Sequence, residues 1–222
     1  MGTISVNRLG GLTLIVGPVL AVVMFFIQPG GIIIDPADPS NAQESIMAFI
    51  SNSGLAKATG LLIPLGLILF LYGIFTIQGN IRGNGNGDAL SRLGAGIILI
   101  AVIGWVSTSA LGNVIAGTDM QSAAEMAAAG SIFAAASGIN LMSGLLGALG
   151  FLLFSLALST RDDFKRIPAL VIAVASAVGL AAGLWGGLDT AQLETTQMIS
   201  GVVYLLTTIW SITLGLDLLA KE

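Results

Sequence analysis

Asn113 and Asn140 carry the side chains with the most chemistry left to do, because each places an amide donor and acceptor inside a long apolar run. The residues that supply most metal, haem and thiol chemistry are absent, since the chain has no cysteine and no histidine. Disulfides, zinc sites, histidine-ligated haem, and Cys-His or Ser-His-Asp catalysis are thereby excluded, and no metal or cofactor is expected. The two asparagines fall at similar depth in adjacent runs and are expected to hydrogen-bond across a hairpin, an interaction worth about 0.6 to 2 kcal/mol between membrane helices. The alternative is contact with a bound molecule. Trp105 and Trp210 also lie near the middle of apolar runs, where an indole N–H needs a partner such as Ser109 or Thr207. With Asn113 and Asn140 they form the candidate contact set for a lipid, quinone or carotenoid.

The remaining polar features are poorer in chemistry. Asp35 and Asp38 stand three apart in a proline-bounded segment, but calcium takes six to eight oxygens and this stretch offers two or three. The run Gly83-Asn84-Gly85-Asn86-Gly87-Asp88 lacks the preceding strand and following Lys-Ser or Lys-Thr of a phosphate-binding loop, so it reads as a flexible turn. No ionisable side chain lies in the interior of any apolar run, which argues against a proton-coupled transporter, a pump, a retinal protein or an intramembrane aspartyl protease. The chain is expected to be no enzyme.

These residues are held by elements that composition alone announces. Of 222 residues, 55% are hydrophobic and only 9% charged, against about 25% in soluble domains. A helix needs about 20 apolar residues to cross the roughly 30 Å hydrocarbon layer. Six runs qualify, at 9–28, 56–78, 93–116, 133–158, 168–188 and 198–219. The expected fold is all-α, a polytopic six-helix membrane bundle forming a single integral domain over 1–222. The first run lacks a small-x-small cleavage site and reads as a retained helix bent at Pro18, with the freed carbonyl satisfied by a neighbouring helix or Thr13. Arg8, Arg82, Arg92, Arg161, Lys165, Arg166 and Lys221 fall on the side of both termini and Lys57 alone on the other, which predicts cytoplasmic termini. With a net charge of -4 and no basic run, no nucleic-acid partner is expected.

The runs group into three hairpins opened by Arg8-Leu9-Gly10, Arg92-Leu93-Gly94 and Arg166-Ile167-Pro168, and the segment 65–70 echoes 146–151. Short amphipathic helices are expected on the outer face. The clearest is capped by Ser40 with Gln43 three residues on and ends at Gly54, with weaker versions at 119–130 and 190–197. Ile46, Phe49 and Ile50 share one face of the first and are a candidate docking surface. Ala175, Gly179, Gly183 and Gly187 recur every four residues, a face without bulk that permits close helix approach. Together these features predict a non-catalytic accessory or structural subunit of a larger assembly, with membrane lipid and other membrane subunits as partners. The competing expectation is an independent carrier, channel or binding protein for a neutral or lipid-like molecule. Compact loops without N-x-Ser or N-x-Thr sequons suit a prokaryotic plasma (inner) membrane.

Overall fold

A computed structural model describes residues 4–83, 85–119 and 122–221. It is all-α among these residues, with α1 (Val6–Ile27), α2 (Ala42–Ser51), α3 (Ser53–Ile81), α4 (Asp88–Ile115), α5 (Ala123–Ser159), α6 (Arg166–Leu188) and α7 (Leu193–Leu219). Six of them, all but α2, are long and apolar enough to cross a membrane. Each long helix packs on those flanking it in the chain, and α7 closes back on α1, so the six form a ring. The start of α1 and the end of α7, the helices nearest the two termini, lie at one end, where Gly11 faces Leu219.

Close backbone approach makes the ring tight. Gly17 lies against Gly66 and Phe70, and Gly94 against Gly150 and Phe154, with no room for a Cβ at either contact. The α1–α3 and α4–α5 pairs share a register, for Gly10 is beside Gly73 and Gly94 is beside Phe154. Phe70 and Phe151, equivalent positions of the sequence echo, stack with ring centroids 5.7 Å apart. The α6–α7 pair has no such glycine seam with its own register echo and closes instead through Thr196, whose hydroxyl donates to the Ala182 carbonyl at 3.1 Å. Pro18 leaves the Leu14 carbonyl without its helical donor, and the neighbouring helix supplies one: the Ser211 hydroxyl of α7 donates to it at 2.6 Å. Thr13 turns to the Gly10 carbonyl instead.

The short outer segments differ from expectation. Asn41, not Ser40, caps α2 by accepting from the Glu44 N–H at 3.2 Å, because the Ser40 hydroxyl is already held by Asp38 at 2.7 Å. The helix stops at Ser51, and Gly54 belongs to the first turn of α3. Within 119–130, Met120 and Gln121 lie outside the described residues, while Ser122 and Glu125 form a capping box that opens α5 directly. No break follows, so the expected separate helix is the start of a 37-residue helix about 55 Å long at 1.5 Å per residue. The segment 190–197 is likewise a 3₁₀ turn, Thr190–Gln192, leading straight into α7. At the turn between α3 and α4, Gly87 has φ +84° and would set a Cβ 2.6 Å from the Ala157 carbonyl, so only glycine fits.

Candidate functional site

One stripe of α5 decides where a site can form. Ser137, Asn140, Gly144, Gly147, Phe151 and Phe154 follow one another at three- and four-residue steps and so share a face. That face looks into the ring. A Cβ on Gly144 would approach the Tyr204 hydroxyl of α7, one on Gly147 would meet the Trp105 ring of α4, and Phe154 sits edge-on to Trp210 of α7 at 6.5 Å. The flanking directions are occupied by α4, through Gly104 on Ser143, and by α6, through Gly183 on Leu145 and Gly187 on Leu141.

Along this inward stripe, burial changes from one end to the other. Phe154 is 0% and Phe151 6% exposed, whereas Asn140 and Ser137 are exposed. The packed end, on the side of the termini, is a core of Leu14, Phe70, Ile74, Ile98, Phe154 and Trp210 with its neighbours. At mid-depth an aromatic layer crosses the ring: Trp105 meets Tyr204 edge-on at 5.9 Å, and Tyr204 meets Phe25 edge-on at 5.7 Å. Beyond it Ser137 and Asn140 on α5 are exposed and Gln197 and Ser200 on the corresponding stretch of α7 are half-buried, while Gly201 of α7 is covered by Ile32 and Phe26. The ring is thus packed at one end and carries exposed neutral polar groups beyond an aromatic layer toward the other, the outline of a cup with an aromatic floor. Its opposite rim is partly roofed by α2, which packs on α3, α4 and α5.

The structure separates the four residues singled out in the sequence. Trp105 is part of the floor. Asn140 stands on the wall above it and makes no hydrogen bond among the described residues. Trp210 lies below the floor, 4% exposed in the packed core. Asn113 is elsewhere, its side-chain oxygen seated against Gly60 of α3, the residue whose carbonyl Pro64 frees. That oxygen is buried without a partner, so the cross-hairpin bond to Asn140 does not form. The reason is direction: Asn113 points from α4 toward α3, away from α5. Neither indole N–H donates to Ser109 or Thr207 among the described residues, and the Thr207 hydroxyl donates to the Val203 carbonyl of its own helix.

Both expected contact faces pack in part within the chain, with Gly183 and Ile46 buried, Ala175, Gly179, Phe49 and Ile50 half-buried and Gly187 exposed. Gly179 lies against Val203 and Ala148, Gly183 against Leu145, and Gly187 against Leu141, so the small-residue face that begins at Ala175 serves α5 and α7. Ile46 is 2% exposed and clusters with Ile115 and Ala129, with Phe49 and Ile50 packed beside it. Asp35 and Asp38 turn to Asn52 and Ser40 respectively, and no cluster of metal-ligating residues exists among the described ones. Sequence reading missed Tyr204 and Ser137. The available signal was the spacing of Ser137, Asn140 and Gly144, a polar stripe inside an apolar helix.

Compared with known proteins, the chain matches no family model, no curated protein and no solved structure.

Proposed function

We propose that this protein binds a small, neutral, amphipathic molecule in the open half of its helical ring, as a binding protein or carrier. The observation that carries the reading is the change of character along the inward stripe of α5, from buried phenylalanine to exposed Ser137 and Asn140. An exposed amide facing a ring interior has no packing role to explain it. The Trp105–Tyr204–Phe25 layer offers aromatic surface for an apolar body, and the wall offers hydrogen bonds without charge. No group in the lining is suited to proton transfer or nucleophilic attack at neutral pH, and the proposal includes no reaction. The positive residues near the termini support cytoplasmic termini in a prokaryotic plasma membrane. The cup then opens outward, with α2 lying along the outer rim and the first two hairpins related as a repeat.

The rival reading, an accessory subunit, would use what remains accessible of its two candidate surfaces, since Ile46 and Gly183 are buried within the chain. Extraction in mild detergent followed by mass spectrometry of everything bound in fixed ratio separates the two. The expected result is a retained small molecule that Asn140→Leu releases, with occupancy falling at least about fivefold for one lost hydrogen bond. A stoichiometric protein partner beside an empty cup would overturn this reading in favour of the subunit.

A further inference from the structure

A second feature lies outside the ring and does not depend on the cup. At the end that carries the termini, a groove of about 290 Å³ opens between α3 and α4, lined by Phe75, Gln78, Arg82, Arg92, Gly96 and Leu99 among others. Its floor is open at Gly96, where a Cβ would meet nothing within 4 Å. Its wall is apolar and faces the surroundings, with Phe75 40% exposed. Two guanidinium groups stand at its rim. Arg92, in the first turns of α4, is held by Asp88 through Nε and Nη2, both at 2.8 Å, leaving Nη1 free to donate. Arg82 follows the last residue of α3, is exposed, and enters no salt bridge among the described residues.

Two arginines and one aspartate leave the rim with a single net positive charge, at the level where helices emerge from hydrocarbon into the headgroup layer. We propose that this groove binds one anionic phospholipid, its singly charged phosphodiester between Arg82 and Arg92 and an acyl chain along Phe75 and Leu99. Charge and shape both select this occupant. A soluble anion would leave the apolar wall uncovered, and a zwitterionic headgroup would bring its own cation to a rim that is already positive.

The test uses the purified full chain, stripped of lipid in mild detergent and titrated with palmitoyl-oleoyl phosphatidylglycerol or phosphatidylcholine, with bound lipid counted by native mass spectrometry. One phosphatidylglycerol should be retained under activation that removes phosphatidylcholine. Arg82→Gln should cut that preference about fivefold, the share of one cation near an anionic surface. Arg166→Gln, at the same end but off the groove, should leave it intact. Gly96→Leu should fill the floor and displace the lipid with both arginines present, and it decides the matter should Arg82→Gln fail to fold. Equal retention of the two lipids by the unmodified chain, equal losses in Arg82→Gln and Arg166→Gln, or undiminished binding in Gly96→Leu would overturn the proposal.

Discussion

Neutral polar side chains in this bundle fall into four physical situations, and only one of them carries the proposed function. Most hydroxyls, such as those of Thr59, Thr76 and Ser143, donate to a carbonyl of their own helix three or four residues back and cost the membrane nothing. Ser211 serves another helix at the carbonyl that Pro18 frees. Asn140 does neither, and its exposure on the inward stripe of α5 is the residue-scale basis for the proposed ligand binding. Ser176 is different again: it is 0% exposed and its hydroxyl lacks a partner. An unmet buried hydroxyl costs about 1 to 3 kcal/mol, so Ser176→Ala should leave the thermal midpoint unchanged or higher. A lower midpoint in detergent would show that the hydroxyl is bonded after all.

Helix seams set the next scale. Replacing Gly183 by leucine drives a branched side chain into Leu145, whose Cδ2 would stand 2.9 Å from a Cβ there. Overpacking of this kind costs about 1 to 3 kcal/mol, so Gly183→Leu should destabilise the isolated protein itself. An isolated variant as stable as the parent would mean that the α6 face is free after all. The connection between α5 and α6 offers a pH-dependent counterpart. Arg161 grips Asp163 through Nε and Nη2 and also donates to the Asn86 carbonyl, tying two turns together at the end that carries the termini. The Arg161 guanidinium holds the Asp163 carboxyl below its ordinary 3.8. A depressed native value means that this stabilisation is complete above the ordinary value and is lost as pH falls through the native one. Asp163→Asn should therefore lower the thermal midpoint slightly at pH 7, by the equivalent of no more than about 1 kcal/mol, and the difference should vanish on strong acidification. A gap that persisted in acid would point to a hydrogen-bonding role independent of charge.

At the scale of the whole molecule, the proposed function requires one half of the ring to be closed and the other open. The absence of native cysteine makes this directly measurable, since any introduced thiol reports without background. Ser137→Cys and Asn140→Cys should react with a membrane-impermeant maleimide, while Phe151→Cys and Phe154→Cys should not. With cytoplasmic termini the reactive pair should be labelled in intact cells. Labelling only after the cells are broken would reverse the orientation, and no labelling of either would close the cup.

Much of this protein is legible in one dimension, because a bilayer tests each segment by length and polarity alone. That is why the six runs at 9–28 through 198–219 correspond to the six long helices, whose ends extend beyond them where polar residues such as Asp88, Glu125 and Glu194 still suit a helix start. The small-residue spacing on α6 was equally plain, since close approach demands missing side chains whatever the partner. Which surface fills that face is a different question, and only tertiary structure answers it, by bringing Leu141 and Leu145 of α5 to Gly187 and Gly183. The same holds for Asn113 and Asn140. Equal depth suggested that they meet, but depth is one coordinate and azimuth another, and the rotation of α4 and α5 about their axes seats one side chain against Gly60 and leaves the other exposed on a different face. Transfer from water to hydrocarbon determines which segments lie in the membrane. The packing of the ring determines which way each residue faces.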